Sequence, residues 1–214
     1  METRRLPPYD QDEAARHVAR SGPEMNRLIE VVGPPDLVVG ALSSPFEMLL
    51  ESIVYQQLSG KAAATIYGRV EAMFGGHPPA PEALLAIEDV HLRNAGMSWA
   101  KVAAARDLAS QTLDGTLPSL GELAAMPDDE IIASLTRVRG IGPWTVQMLL
   151  IFRLGRPDVL PAADLGVRKG LQITHSLAEL PAPQEVIERG EVWRPYRSMA
   201  SWYLWRAVDG VLPG

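Results

Sequence analysis

Apolar residues recur along most of the chain at the three- and four-residue spacing of helices that bury one face. The first long example is PFEMLLESIVYQQLSGKAAATIYGRVEAMF, which begins at residue 45. The apolar face of its first half consists of Phe46, Leu49, Leu50, Ile53, Val54 and Leu58. Ser59 and Gly60 predict a break, after which a second helix begins. The pattern therefore places Leu58 in the core.

Four further stretches show helical periodicity, and turns that contain proline or glycine separate them. They are SWAKVAAARDLASQTL, DDEIIASLTRV, PWTVQMLLIFRLG and RPYRSMASWYLWRAV. GGHPPAPEALLAI predicts a loop and a short helix, and PDVLPAAD predicts a proline-bounded connection between two helices. Because no long stretch alternates as a strand would, we expect an all-α fold. The expected lobes are residues 45–155, and residues 1–44 together with 156–214.

The stretch VRGIGPWTVQ, residues 138–147, lies between two helical patterns and predicts a helix-hairpin-helix at about residues 127–154. Proline suits the first position of a helix, because the N–H group there has no partner within the helix. Glycine on both sides of Ile141 leaves the turn bare of side chains. The amides of Gly140, Gly142 and Thr145, with the Thr145 hydroxyl, are candidate donors to a phosphate group. A simple connection between two helices is the alternative.

The amino-acid composition excludes several kinds of catalytic and metal site. The absence of cysteine excludes disulfides, thiol nucleophiles, thiolate zinc sites and cysteine-ligated iron–sulfur clusters. The four histidines are scattered, so we expect no transition-metal site. The formal net charge of −6 argues against broad nonspecific binding of nucleic acid, although Arg137, Arg139, Arg168 and Lys169 lie around and beyond the glycine turn. Without an apolar run for a membrane span or a signal peptide, a cytosolic protein is expected, nucleoid-associated if bacterial.

The ordered motifs resemble a known family. LTRVRGIGPWTVQMLLIF, with the aspartate of LPAADLGVRKG 20 residues after Trp144, resembles the helix-hairpin-helix (HhH-GPD) DNA glycosylases, and within them the AlkA-like 3-methyladenine DNA glycosylase II branch. The resemblance extends through IVYQQLSGKAA, GMSWAKVAAARDLA and WRPYRSMASWYLWRA, and covers about residues 40–210. It implies a two-lobed helical fold with the active-site cleft between the lobes. It also implies excision of alkylated bases from damaged double-stranded DNA in base excision repair.

The resemblance implies roles for individual residues. Asp164 would be the catalytic carboxylate, which stabilises positive charge on the sugar as the N-glycosidic bond breaks. Trp144 and Trp205 would present aromatic faces to the flipped base, with Trp202 and Tyr203 as neighbouring candidates. Without the resemblance, Asp164 is explained as a helix N-cap, and the two roles are compatible. Trp202 and Tyr203 are equally explained as core aromatics.

Contacts with the duplex are also implied. The resemblance places at Gln57 the wedge that fills the space left by the flipped base, and Leu58 is the alternative. Lys61 and Lys101 are candidate phosphate contacts, with solvated surface lysines as the ordinary expectation.

A monovalent cation, Na⁺ or K⁺, is the only cofactor that the resemblance suggests, held by the carbonyls of Thr136, Val138 and Ile141. Bifunctional relatives carry a lysine nucleophile where this chain has Trp144, so a monofunctional enzyme without lyase activity is expected. Some bacterial relatives carry an N-terminal β domain, for which we expect too few residues here.

Two other functions remain open at this point. One is a noncatalytic helix-hairpin-helix DNA-binding protein, and the other is an unrelated helical scaffold whose glycine turn only connects two helices. The glycosylase hypothesis expects a monomer without an organic cofactor or a membrane partner. The shape of the pocket decides among 3-methyladenine, 7-methylguanine, hypoxanthine and ethenoadenine as the base removed.

Overall fold

The computed structural model of the protein describes residues 5–41 and 43–211. Within these ranges the chain forms helices and no named strand, apart from an isolated β-bridge between Arg5 and Val39. The prediction of an all-α fold is therefore confirmed. None of the described helices is long and apolar enough to cross a membrane.

The α-helices follow one another with short connections. In chain order they are α1 (Gln11–Ala19), α2 (Pro23–Val32), α3 (Pro45–Tyr55), α4 (Gly60–Ala72), α5 (Pro81–Ala86), α6 (Asp89–Ala95), α7 (Trp99–Leu113), α8 (Leu120–Ala125), α9 (Asp128–Leu135), α10 (Pro143–Leu149), α11 (Leu165–Thr174), α12 (Pro183–Gly190) and α13 (Arg197–Arg206). Short π-helical turns follow α10 at Leu150–Leu154 and α13 at Ala207–Val211, and a 3-10 turn covers Glu191–Trp193.

The helices belong to two compact units. One is Leu42–Val146, and the other combines the described residues of Met1–Ala41 with those of Gln147–Gly214. The division falls within α10, which continues the chain from the first of these units into the second. The lobes predicted with boundaries after residues 44 and 155 stay a prediction.

Helix α7 is the centre of the unit Leu42–Val146. Helices α3, α5 and α6 pack against it, and it buries a face of mostly small side chains. These are Val102, Ala104, Ala105, Leu108 and Ala109. Ser59 accepts a hydrogen bond from the Ala62 amide and caps α4, so the predicted break at Ser59 and Gly60 is confirmed.

Helix α13 is the centre of the other unit. The residues from Ser198 to Leu204 are buried without interruption, because α1, α2 and α11 pack on different sides of it. The contact with α11 is close at Gly170, where a Cβ atom would overlap the backbone of Leu204. Glycine at this position lets α11 approach the backbone of α13, and this approach fixes the residues at the start of α11 relative to those at the end of α13.

The second helix of the predicted hairpin changes its winding after about two turns. Helix α10 ends at Leu149, and the π-helical turn Leu150–Leu154 continues it until Gly155, whose φ is 67°. A side chain at Gly155 would also approach Pro8 Cδ to 2.7 Å. Single π-helical turns occur often at functional sites. This one carries Phe152, which contacts one of the candidate site residues.

Candidate active site

Asp164 is the N-cap of α11, as the capping interpretation predicts. Its Oδ1 accepts a hydrogen bond from the Val167 amide at 2.8 Å. The same oxygen accepts a second hydrogen bond from Trp205 Nε1, also at 2.8 Å. The carboxylate is half-buried, and these two donors hold it in one orientation. Hydrogen bonds from two N–H donors to one carboxylate oxygen are charge-assisted and therefore stronger than those between neutral groups.

Small residues of α11 make the contact between Asp164 and Trp205 possible. A Cβ atom at Gly166 would lie 2.7 Å from Trp205 Cδ1 and 3.0 Å from Asp164 Oδ1. Gly170 follows one turn later and lies against α13. The Trp205 ring also stacks on Phe152, with ring centroids 5.6 Å apart and an interplanar angle of 30°. Asp164, Trp205 and Phe152 therefore form one cluster.

The connection before Asp164 is fixed by α13. Ser198 is buried, and its hydroxyl donates to the Arg156 carbonyl and accepts from the Val159 amide. Asp158 forms a two-bond ion pair with Arg197, with N–O distances of 2.6 and 3.1 Å. The proline-bounded stretch PDVLPAAD is thus an ordered connection that sets where α11 begins.

The structure separates the four candidate aromatic residues into different environments. Trp205 is half-buried beside Asp164. Trp144, the second residue of α10, belongs to the other unit and is 47% exposed. Tyr203 is fully buried and donates a hydrogen bond from its hydroxyl to the Gly33 carbonyl at 3.0 Å, which supports the core alternative. Trp202 is also buried and meets the Tyr203 ring edge to face at 4.9 Å.

The hairpin turn has the bare surface that the sequence predicts. Among the described residues, the amides of Gly140, Gly142 and Thr145 donate no hydrogen bond to another protein group. Gly140 has φ of 77° and needs glycine for its backbone. Gly142 lies outside the left-handed region, and a Cβ atom there would meet no other group within 4 Å. The Thr145 side chain is largely buried, which leaves mainly its amide as a donor.

The loop after α3 differs from its prediction at one residue. Leu58 is 39% exposed, so its predicted core position is wrong. The physical reason is that α3 ends at Tyr55, and the helical spacing no longer applies three residues later. Gln57 is exposed and has φ of 57°, which is rare for a residue other than glycine. Both candidate wedge residues therefore lie on an exposed loop.

The two candidate phosphate contacts also differ from one another. Lys61 is exposed in the first turn of α4. Lys101 is half-buried, and its ammonium group donates to the carbonyls of Val54 and Gln56 at 2.7 and 2.8 Å. Burial lowers the pKa of this ammonium group. Lys101 is therefore neither a solvated surface lysine nor a side chain directed at an outside phosphate.

The carbonyls proposed for a monovalent cation lie at the end of α9 and in the turn. Val138 O accepts the Ile141 amide at 3.1 Å, while Thr136 O and Ile141 O accept no hydrogen bond among the described residues. A carbonyl oxygen has two lone pairs, so all three retain acceptor capacity. The donor set therefore fits a hard monovalent cation. No group of three or more His, Asp or Glu residues that could hold a metal occurs in the part of the chain described here.

Sequence reasoning missed several residues that build the site. Phe152 has the spacing of an ordinary helix-core residue, and Ser198 has no neighbouring motif that would indicate its contact with the connection. Gly166 and Gly170 do give a signal, since two glycines four residues apart mark a face where another helix can approach closely.

The chain is similar to known proteins over most of its length. Residues 50–195 match the family model of the HhH-GPD superfamily base excision DNA repair proteins. DNA-3-methyladenine glycosylase 1 of Schizosaccharomyces pombe is 35% identical over 193 residues, which cover 89% of this chain and 84% of that protein. A putative DNA-3-methyladenine glycosylase of Bacillus subtilis is 36% identical over 172 residues, which cover 78% of this chain and 60% of that protein.

Solved structures give the same result. The 3-methyladenine DNA glycosylase of Schizosaccharomyces pombe, in complex with abasic DNA, matches with a TM-score of 0.83 at 33% identity, covering 94% of this chain and 100% of that one. The DNA-3-methyladenine glycosidase of Bacillus halodurans matches with a TM-score of 0.81 at 36% identity, covering 91% and 88% of the two chains. Together with the family match, these similarities show that the chain belongs to the HhH-GPD superfamily of base excision DNA repair proteins.

Proposed function

We propose that a single chain acts as a monofunctional DNA glycosylase of the 3-methyladenine glycosylase II type, which hydrolyses the N-glycosidic bond of alkylated bases in double-stranded DNA. The observation that carries this proposal is the Asp164 carboxylate, fixed at the start of α11 by the Val167 amide and the Trp205 indole. Membership of the HhH-GPD superfamily and similarity to proteins named DNA-3-methyladenine glycosylase support it.

The chemistry requires one well-placed carboxylate. As the bond between the sugar and the base breaks, its electron pair leaves with the base, and the sugar gains positive charge. Asp164 stabilises that charge and orients the water molecule whose oxygen forms the new bond to the sugar, while a proton of that water passes to solvent. A base such as 3-methyladenine is already cationic as part of the DNA, so it departs neutral and needs no strong acid. The arrangement differs from paired-carboxylate glycosidases in that one carboxylate suffices.

Trp205 has two functions in this proposal. Its indole N–H orients Asp164, and its ring, supported by Phe152, offers an aromatic face for the flipped base. Electron-rich rings attract cationic bases by stacking and by cation–π contact. Trp144 is the second aromatic residue proposed for the base. The buried Tyr203 is no longer part of the proposed pocket.

Two exposed segments bind the duplex in this proposal. The amides of Gly140, Gly142 and Thr145 donate to DNA phosphates, and Gln57 or Leu58 fills the space left by the flipped base. Lys61 contributes a phosphate contact. The carbonyls of Thr136, Val138 and Ile141 would hold a monovalent cation, whose positive charge would favour binding of DNA phosphates at the turn.

The proposal is tested by base release from DNA treated with dimethyl sulfate, which contains 3-methyladenine and 7-methylguanine, and from synthetic duplexes that contain hypoxanthine or ethenoadenine. Chromatography of the soluble fraction then identifies the free bases. We expect release of 3-methyladenine at the highest rate. If the protein binds these duplexes but no free base appears from any of them, the noncatalytic DNA-binding alternative is correct instead.

A further inference from the structure

Lys101 binds the end of α3, across 45 to 47 residues of sequence. Its Nζ lies 2.7 Å from Val54 O and 2.8 Å from Gln56 O. Carbonyls in the last turn of a helix have no partner within the helix, and a positive charge next to them also interacts favourably with the helix dipole. Lys101 thus satisfies the backbone on both sides of the residue where α3 ends.

The segment that follows is Gln56–Ser59, which we call the wedge loop because it carries Gln57 and Leu58. Gln57 has φ of 57°. A residue other than glycine is strained in this region, and it persists only where its surroundings hold it. The Leu58 amide donates to the Tyr55 carbonyl, and the Gln56 side chain donates to the Gly140 carbonyl of the hairpin turn at 2.9 Å. The wedge loop therefore has one defined backbone conformation, joined to the hairpin turn.

The same helix that carries Lys101 also holds the hairpin turn. Asp107 Oδ2 accepts from the Arg139 amide at 2.7 Å and from Gln111 Nε2 at 2.8 Å. Ala104 lies directly under Gly140, where a Cβ atom would come within 3.3 Å of the Ala104 methyl group. Residues 101, 104, 107 and 111 are spaced by three or four and share one face of α7. One helix face therefore determines where the wedge loop and the hairpin turn lie relative to each other.

We propose that Lys101 is a positioning residue for the distortion of DNA: it holds the wedge loop in register with the hairpin turn, so that Gln57 enters the duplex where the hairpin binds the backbone. This inference rests on the proposed function above. Lys101 itself touches neither the base nor the sugar. Loss of its two hydrogen bonds frees the end of α3, and the wedge residue loses its fixed position while the hairpin amides remain in place.

DNA-binding measurements distinguish a lysine that positions the wedge loop from a lysine that contacts a phosphate. A lysine that pairs with a phosphate strengthens binding to damaged and undamaged duplexes alike, and its removal lowers the salt dependence of binding by about one unit of slope. A residue that positions the wedge affects chiefly the duplex in which the wedge fills a gap. Its effect also disappears once the wedge side chain has been removed.

The experiment measures Kd by fluorescence anisotropy for two matched duplexes, one undamaged and one with a single tetrahydrofuran abasic-site analogue. The specificity ratio is the Kd for undamaged DNA divided by the Kd for abasic DNA. We expect Lys101→Met and Gln57→Ala each to lower this ratio by about tenfold, as for residues coupled in one network. The specificity ratio of the double variant should be no more than about twofold lower than that of either single variant. Lys101→Arg, which keeps two N–H donors for the carbonyls, should retain most of the ratio.

Arg106→Met is the matched control. Arg106 is also on α7 and also donates to carbonyls at a helix end, those of Leu84 in the last turn of α5 and of Ile87 just after it, and its further partner is Asp89 at the start of α6. The Arg106→Met variant should have a lower Tm than the wild type and an unchanged specificity ratio. If Lys101→Met fails to fold, Lys101→Gln replaces it, with an expected loss of at least threefold that is likewise absent in the Gln57→Ala background.

The outcomes separate the inference from the proposed function. Wild-type protein that does not distinguish abasic from undamaged DNA contradicts the proposed function. With that distinction present, the inference is overturned by a Lys101→Met ratio equal to wild type, by Lys101→Met and Gln57→Ala losses that multiply, or by an equal loss on both duplexes with a reduced salt slope.

Discussion

At the scale of single residues, the candidate site depends on which groups surround one carboxylate. Asp164 is both a helix cap and the acceptor for an indole N–H, through the same oxygen. The cap explains why an aspartate is compatible with this position, and the contact with Trp205 goes beyond what capping requires. The structural role and the proposed catalytic role therefore use the same side chain without conflict.

Trp205→Phe tests whether the indole acts through Asp164. The variant keeps an aromatic ring and removes the N–H donor, so we expect kcat for base release to fall by about tenfold, with KM changing less than threefold. Binding of abasic DNA should stay close to wild type. In the Asp164→Asn background, the same substitution should have almost no further effect. A full tenfold loss on top of Asp164→Asn would show that Trp205 acts independently of the carboxylate.

Gly142→Val tests the bare surface of the hairpin turn. A Cβ atom at this position meets no protein group within 4 Å, so we expect the free energy of unfolding to change by less than about 1 kcal/mol. Binding to damaged and undamaged duplexes should weaken by similar factors of about ten, because the added side chain keeps phosphate away from the amides. Gly121→Val, in the open environment of α8, is the control for a surface glycine. A loss confined to one lesion would contradict the role of the turn in binding the backbone.

At the scale of secondary structure, one helix organises each unit. Helix α13 brings Trp205 to Asp164 because α11 approaches it through glycines. In the other unit, α7 binds both the wedge loop and the hairpin turn through Lys101 and Asp107. In both units, the packing of one central helix against its neighbours determines where the candidate site residues lie.

Gly170→Ala tests the close contact between α11 and α13. The added methyl group overlaps the backbone of Leu204, which cannot rotate away, so we expect a loss of about 2–3 kcal/mol in the free energy of unfolding. Gly68→Ala is the matched control, because Gly68 is an exposed helical glycine of α4 with open space around it. That variant should gain about 0.5–1 kcal/mol. Urea denaturation of both variants measures these changes, and equal stabilities would rule out the close contact.

At the scale of the whole molecule, periodicity and turn residues predict the helical class and the capped helices well. Leu58 was misplaced because the sequence does not show that α3 ends three residues earlier. The contacts of Lys101 and Ser198 lie far away in sequence, so no local pattern reveals them. Tyr203 and Trp205 are two residues apart, yet only the packing of α13 shows that the first is in the core and the second is beside Asp164.

We expect the protein to hydrolyse the N-glycosidic bond and to leave the DNA strand uncut. The resemblance to HhH-GPD glycosylases places Trp144 where bifunctional members have a lysine nucleophile, so we expect no Schiff base with the abasic sugar. We expect intact abasic strands that break only after treatment with alkali. Reduction with borohydride during the reaction checks this, with a lyase of the same superfamily as the positive control. Efficient trapping of a covalent adduct between this protein and DNA would contradict monofunctional hydrolysis.

The central claim is that Asp164 supplies the charge that drives base release, and Asp164→Asn tests it most directly. The variant keeps the shape of the side chain and an oxygen that can accept from the Val167 amide and the Trp205 indole. The free energy of unfolding should therefore change by about 1 kcal/mol or less. The single-turnover rate of 3-methyladenine release should fall by about a hundredfold or more, because a preoriented negative charge is lost. Binding of abasic DNA should persist or strengthen slightly. A folded Asp164→Asn variant that releases the base at the wild-type rate would show that Asp164 is only a helix cap and that the chemistry lies elsewhere.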